Sequence, residues 1–400
     1  MAGNPNLLEA ARNLQDQTVC FLRDLIAIPS VSGDEERVIQ RIKREMERLK
    51  YDRVWVDSMG NLFGQIGSGK RILVFDGHCD TVAPGSLDNW RCDPFQGEYH
   101  DGTVFGRGAS DQKGGLAAAV MAGRLLKNAG LPPDVSVIVA ASILEEDHEG
   151  LSWKKIIEED RLRPEAVILT EPSNMAVRIG QRGRMEMKLT IHGVSSHGSS
   201  PELGENAIYL CSPVLQEIEN LNSQFRGDSP LGKGSIAVTN IRSSAPSLCA
   251  VPDSATLHID RRITRGENED SCLEEIRHLP SVSKNRYDLG IPEYTVTSYT
   301  EYTVREKASV PMWLMDPSHS LVRNAVNTYQ NLFGEKPEIG AWKFSTNGVT
   351  TKGIYDIPTI GFGPGREEEA HAPNESVTVE EVIQAMAFYA ALALQWGESS

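Results

Sequence analysis

The stretch Arg71-Ile-Leu-Val-Phe-Asp-Gly-His-Cys-Asp80 constrains this chain most. Ile72 to Phe75 are four apolar residues in a row, as in a buried strand. The run breaks at Gly77 and presents His78 and Asp80, two positions apart. On extended backbone, residues two apart share a side. An imidazole and a carboxylate therefore leave the end of a buried strand together, where sites collect in α/β sheets. The pair is a candidate for metal binding. Taken alone, it also fits a hydrogen-bonded loop histidine and an aspartate capping a helix.

The surrounding pattern predicts an α/β sheet covered on both faces. Helices are expected over 15–28, stopped by Pro29, and after Ser32-Gly-Asp-Glu35, where Ser32 and Glu35 can form a capping box. Strands follow at about 53–66 and 71–77, an Ala-rich helix at 113–129, and strands at 135–144 and 166–169. Near 180 the pattern changes. Met185, Met187, Leu189 and Ile191 alternate strictly, which marks a half-buried strand. A helix at 205–222, strands at 234–241 and 254–262, a helix at 267–278 and a strand at 293–303 give β-α-β-β-α-β, the ferredoxin-like order. A small α+β domain, residues 182–308, is thus inserted in a larger one made of residues 1–181 and 309–400. The larger domain resumes with a helix at 319–333, a strand at 357–362 and a final helix at 378–395.

The net charge of −15 argues against a nucleic-acid partner, which needs clustered Lys and Arg. No stretch reaches the roughly 18 apolar residues of a membrane span. The six cysteines form no C-x-x-C pair, and no secretory signal is legible at the N-terminus, so a reducing, cytoplasmic setting is expected.

Further acidic and histidine positions leave strand ends of the larger domain. Asp111 precedes a helix within Gly106-Arg-Gly-Ala-Ser-Asp-Gln-Lys-Gly-Gly115. Glu145-Glu146-Asp147 end an apolar strand, Glu171 ends the next, and His371 follows the last. Singly each has a plain alternative: an N-cap, a solvated acidic loop, a turn residue before Pro172. Together they have the makeup of a two-metal site. Carboxylates and imidazoles suit zinc, cobalt or manganese. A water between two such metals ionises near neutral pH, and one unligated carboxylate is needed to carry its proton.

His78-Cys-Asp80-Thr-Val, Gly106-Arg-Gly-Ala-Ser-Asp111-Gln-Lys-Gly-Gly, Glu145-Glu146, Glu171-Pro and His371 resemble, in order and spacing, the dinuclear zinc metallopeptidases. That family includes aminoacylase, glutamate carboxypeptidase, acetylornithine deacetylase and succinyl-diaminopimelate desuccinylase. The resemblance covers nearly the whole chain. It implies a zinc-peptidase-type catalytic domain, with a central mixed sheet flanked by helices, and the inserted ferredoxin-like domain as a lid. It implies two divalent ions per subunit, Zn2+ or else Co2+ or Mn2+. His78 and Glu171 would hold one ion, Glu146 and His371 the other, and Asp111 both. Asp80 would orient His78 from behind, and Glu145 would act as general base and then acid.

In the lid, Gly193-Val-Ser-Ser-His197-Gly-Ser is similar to the family's lid motif, whose histidine reaches the partner subunit's active site and polarises the scissile carbonyl. A homodimer through the lid follows. Asp260-Arg261-Arg262 resembles the family's Asp-x-Arg segment and makes Arg262 a candidate for a substrate carboxylate, with a surface ion pair as the alternative. Backbone amides of Gly363 and Gly365 are candidates for the same carboxylate, with a plain turn as the alternative. Two positions depart from the family: Cys249 stands where many relatives carry Asn, and Asn347 where they commonly carry Asp. The nearest branch, a group of hydrolases linked to selenium metabolism, is similar in Gln181-Arg-Gly-Arg-Met-Glu186, Phe344-Ser-Thr-Asn-Gly348 and Ala370-His-Ala-Pro-Asn-Glu375. That label supplies no substrate. The implied activity is hydrolysis of a linear amide, a peptide or an N-acyl amino acid bearing a carboxylate. Cleavage of a carbamoyl or ureido C–N bond and a non-catalytic metal-binding role stand as alternatives.

Overall fold

The computed structural model describes residues 6–396. At its centre, four strands run parallel in the order Val135–Ser142, Arg71–His78, Ala166–Leu169 and Thr359–Gly361. Parallel strands buried on both faces need near-continuous apolar runs. All eight residues of Val135–Ser142 and all four of Ala166–Leu169 are buried, as that requires. Leu62–Ile66 and Arg53–Val56 extend the sheet on one side in antiparallel fashion. Val177–Gln181, Trp313–Leu314 and Ile339–Trp342 extend it on the other, which makes it a mixed sheet of nine strands. The helices Gly114–Ala129 and Val379–Trp396 pack on each other and lie almost wholly in the core.

The helix Gly114–Ala129 approaches the sheet closely at one point. A Cβ on Gly115 would stand 1.9 Å from the carbonyl oxygen of Thr170, next to Glu171. Only a residue without a side chain permits that contact.

The alternating strand read from Met185 to Ile191 is Gly183–His192, and its four apolar residues are buried in a second hydrophobic cluster. It belongs to a separate antiparallel sheet, ordered Ser235–Ser244, Ser254–Ile263, Gly183–His192 and Arg286–Gly290. The helices Ala207–Gln224 and Glu269–Arg277 contribute to the same cluster. That is the β-α-β-β-α-β order, with one correction. The fourth strand is Arg286–Gly290, not the segment expected at 293–303. Glu293–Thr297 and Thr303–Lys307 instead form a separate hairpin. Val296, Tyr299, Tyr302 and Val304 pack it against the core of the larger sheet, because their apolar faces are covered there. No helix among the described residues is long and apolar enough to cross a membrane.

The substitution Gly115→Ala should destabilise the fold by about 1–3 kcal/mol through overpacking. Urea unfolding monitored by circular dichroism measures this. An unchanged midpoint would show that the helix has slack at Thr170.

Candidate metal centre

His78 is the last residue of its strand and pairs in register with Ser142. Glu145 and Glu146 follow Ser142 closely, and Glu171 lies two residues past the end of Ala166–Leu169. His371 follows Thr359–Gly361 by a loop. The expected residues therefore collect along the C-terminal edge of the four parallel strands, with Asp111 added from the turn before the helix Gly114–Ala129.

His78 Nε2 lies 3.1 Å from Asp111 Oδ1, 3.7 Å from Glu171 Oε1 and 3.8 Å from Glu145 Oε2. His371 Nε2 lies 2.7 Å from Glu146 Oε2 and 3.6 Å from Asp111 Oδ2. The two oxygens of Asp111 thus face one histidine each. Donors about 2 Å from a tetrahedral ion sit roughly 3.3 Å apart, so this spread fits divalent cations. Potential ligand atoms of His78, Glu145 and Glu171 fall within 4.8 Å of one another, and so do those of His78, Asp111 and Glu146.

The electrostatics point the same way. Burial pushes the carboxyls of Glu145 and Glu171 well above the usual range, and neighbouring acids add to it. Glu146 is raised by burial and by Asp111. For His78, burial disfavours the charged ring, but Glu171, Glu145, Asp111 and Asp80 outweigh it and hold its pKa well above the ordinary value. The cluster needs positive charge, supplied by protons or by metal ions.

The support behind the ligands comes partly from unexpected residues. His78 Nδ1 faces the backbone carbonyl of Asp80 at 2.9 Å and its carboxylate at 3.5 Å, so Asp80 meets the ring through both groups. Cys79, between them, lies in the hydrophobic core. The capping box expected from Ser32 and Glu35 does not form. The Ser32 hydroxyl donates to Asp80 Oδ2 at 2.7 Å, and Glu35 Oε1 accepts the Leu144 N–H at 3.1 Å, so both side chains serve the site instead. Asp80 Oδ2 also accepts the N–H of Glu146 at 3.0 Å. Asn347 is buried and ties three segments together. Its amide nitrogen donates to Asp76 Oδ2 (2.9 Å) and Ser142 Oγ (3.1 Å), and its oxygen accepts the Gly150 N–H (2.9 Å). An aspartate could accept but not donate there. Apart from His78 with Asp80, these partnerships are not visible in sequence spacing, because each joins segments far apart in the chain.

A cleft of about 350 Å³ opens over the cluster, lined also by Glu149, Arg184, Arg262, Phe344, Ser345 and Glu367. Arg262 reaches this wall, with its Nε held by Asp260 Oδ1 at 2.9 Å. The Gly363 N–H donates to Ser173 Oγ at 2.9 Å and is not free for a substrate. Gly365 is buried against Ser110 with φ +89°, a turn position that only glycine adopts readily. His197 is exposed in the loop after Gly183–His192 and is not among the described residues lining its own chain's cleft. Cys249 is also exposed, and its carbonyl accepts the Gly198 N–H at 2.7 Å, beside His197.

Residues 74–395 match the model of peptidase family M20/M25/M40, and the chain belongs to that family. It is a metallohydrolase acting on C–N bonds. An uncharacterized protein of Escherichia coli K12, YgeY, is 45% identical over 390 residues, covering 98% of this chain and 97% of its own. The succinyl-diaminopimelate desuccinylase of Rhodospirillum centenum is 27% identical, covering 94% of this chain and 97% of its own. Among solved structures, the aminopeptidase PepT of Bacillus cereus superposes with a TM-score of 0.74 at 18% identity, over 96% of this chain and 99% of that one. The Bacillus subtilis YXEP protein, a dinuclear metal-binding peptidase of the M20 family, gives 0.73 at 14% identity, over 97% of this chain and 100% of that one. These likenesses show the fold.

The metal-free protein should lose stability as pH rises. Carboxyls and a histidine whose folded pKa lies above the unfolded value stabilise the fold below the unfolded pKa and lose that contribution as pH climbs through the folded one. Burial raises Asp76 to about 6 and Glu35 to about 7, and His78, Glu145 and Glu171 shift in the same direction. The chelated protein should therefore melt lower at pH 8 than at pH 5, and added Zn2+ should raise the pH 8 value most. Equal melting temperatures at both pH values without metal would contradict this.

Proposed function

We propose that the chain hydrolyses the linear amide of an N-acyl amino acid, with Glu145 moving the proton. The observation that carries this reading is the free oxygen of Glu145. Glu146 is committed: its Oε2 contacts His371 and its Oε1 accepts the Val82 N–H at 3.2 Å. Glu145 Oε1 is buried without a partner, and the residue lines the cleft. A carboxylate with raised proton affinity and an uncommitted oxygen suits general base and acid work. In this reading Glu145 takes a proton from the attacking water as the C–O bond forms. It gives that proton to the amide nitrogen as the C–N bond breaks.

His78 and Glu171 are proposed to hold one divalent ion, Glu146 and His371 a second, and Asp111 both. Zinc suits the donors best. When bound, such ions supply Lewis acidity that acidifies water and polarises a carbonyl. Asp80 keeps the His78 ring oriented for its ion.

The charges of the cleft favour an N-acyl substrate over a dipeptide. Arg262 is proposed to bind the substrate carboxylate with the part of its fork that Asp260 leaves free. Among the described residues lining the cleft, the carboxylates outside the metal cluster are already answered by arginine. Glu149 pairs with Arg184 at 3.3 Å, and Glu367 with Arg178 at 2.6 Å. A substrate ammonium would find no unpaired carboxylate there outside the metal cluster and Glu145, and a neutral acyl group needs none.

His197 is proposed to act across a homodimer. Its Nδ1 accepts the Ser199 N–H at 3.1 Å, which leaves Nε2–H as the outward donor for a developing oxyanion. Leu203, Tyr209 and Leu248 of the lid are exposed, and Ser235–Ser244 is an edge strand, as a pairing surface would need. All six cysteines are free, which fits a reducing compartment.

Glu145→Ala should retain both ions and lose about 10²–10⁴-fold in kcat/KM. Loss of metal together with activity would reassign Glu145 as a ligand. Verified mixed dimers of Glu145→Ala and His197→Ala chains should recover part of the activity, since one site then has both groups intact. No recovery would count against action across subunits. With N-acetyl-L-alanine and glycyl-L-alanine as a matched pair, the acetylated compound should be the better substrate. A preference for the dipeptide would refute the charge argument, and turnover of N-carbamoyl compounds alone would move the reading to a ureido bond.

A further inference from the structure

Asp111 and His371 come from loops some 260 residues apart in sequence, yet in the proposed site both must meet the same ion to within a fraction of an ångström. Neither loop is regular at the site. Asp111 (φ −114°, ψ 95°) and Gln112 (φ −133°, ψ 33°) depart from helical geometry just before the helix Gly114–Ala129. His371 has φ +63°, a left-handed conformation that a non-glycine residue holds only with support. Backbone N–H groups in such a turn need partners from elsewhere.

Glu375 supplies them. It is fully buried, four residues after His371. Its Oε1 accepts the N–H of Ser110 at 2.8 Å and of Asp111 at 2.7 Å. Its Oε2 accepts the N–H of Gly108 at 3.0 Å and Arg107 Nη1 at 2.7 Å. Arg107 closes the circuit, donating through Nη2 to the backbone carbonyl of His371 at 3.3 Å. Arg107 is itself buried and stacks on Trp90 at 5.2 Å. A residue on the His371 loop thus holds the main chain of Asp111, and a residue on the Asp111 loop holds the main chain of His371.

We propose that Glu375 and Arg107 form a reciprocal latch. It positions Asp111 and His371 so that the ion shared by Asp111, Glu146 and His371 is bound. The proposal rests on the reading of Asp111 and His371 as ligands. Neither latch residue is a ligand: Glu375 spends both oxygens on the loop, and Arg107 is a cation. The two loops would remain neighbours without the latch, because Ser376–Thr378 pairs with Thr103–Phe105 and the Gly106 N–H donates to the Glu375 carbonyl at 2.9 Å. What the latch adds is the aim of two side chains. Glu375→Gln keeps the volume but turns a donor toward groups that only donate. Arg107→Lys keeps the charge, but a single ammonium lacks the fork that reaches both Glu375 and the His371 carbonyl.

The test is metal affinity on the full chain, by competition of Zn2+ against a chelating dye, with the visible absorption of the Co2+-loaded protein as a second readout. His371→Ala should lose one of two ions. Glu375→Gln should weaken the ion that His371→Ala loses by about 10–100-fold. Its Co2+ spectrum should change while its far-ultraviolet circular dichroism does not. Arg107→Lys should give a smaller shift in the same direction. Wild-type affinity and spectrum in both latch variants, beside an effect of His371→Ala, would overturn the latch alone. No effect of His371→Ala would overturn the ligand assignment itself. Should Glu375→Gln fail to fold, Arg107→Lys decides: wild-type affinity and spectrum in that variant refute the latch.

Discussion

Carboxylates crowded together at the floor of a cleft are the condition this structure is built around. Asp111, Glu145 and Glu171 are buried with His78, and Glu146 lies beside them. Two like charges 4 Å apart repel by about 4 kcal/mol at the dielectric typical of protein sites. Such a group persists only if positive charge offsets it and if the surrounding chain is too rigid to relax. The parallel strands meet the second need, since His78, Glu145, Glu146 and Glu171 lie at or just past the ends of buried strands. The divalent cations of the proposed mechanism meet the first.

Rigid strands alone would not aim the side chains, and a shell of hydrogen bonds completes the work. Ser32 and the Glu146 amide hold the Asp80 carboxylate, and Glu35 holds the amide of Leu144 just before Glu145. Asn347 joins the ends of the strands that carry His78 and Glu145. Glu375 and Arg107 do the same for the loops of Asp111 and His371. Around Glu35, Asn347 and Glu375 a buried donor meets a buried acceptor, so the cost of desolvating both is offset only in one arrangement. Departures from that arrangement leave unpaired groups, which is how hydrogen bonds specify geometry more than they add stability. The cleft itself needs both cores, because Arg184 and Arg262 come from the smaller sheet and the candidate metal ligands from the larger domain.

Periodicity and motif order carried much of this. Apolar runs identified the central strands, alternation identified the smaller sheet, and residue type at strand ends singled out His78, Asp111, Glu145, Glu146, Glu171 and His371. These signals are local: a buried strand must be apolar, and a ligand must be an imidazole or a carboxylate whatever surrounds it. Where the reading failed, two local patterns were consistent with the same residues. Ser32 and Glu35 have capping-box spacing, but their side chains find partners in Asp80 and Leu144. The segment at 293–303 has strand character, and its Val296, Tyr299 and Tyr302 pack on the larger core. Gly363 has an amide, and Ser173 takes it.

Chain composition and order suffice to define the class of chemistry, since only certain side chains bind divalent ions and only certain patterns make buried parallel strands. Distance across the fold settles which side chains meet. Asp111 and His371 share a site because the pairing of Ser376–Thr378 with Thr103–Phe105 brings their loops together. Glu375 holds the amides of Ser110 and Asp111 because a loop more than 260 residues away folds back over them. Hydrogen-bond complementarity of that kind depends on positions in space, and no spacing along the chain encodes it.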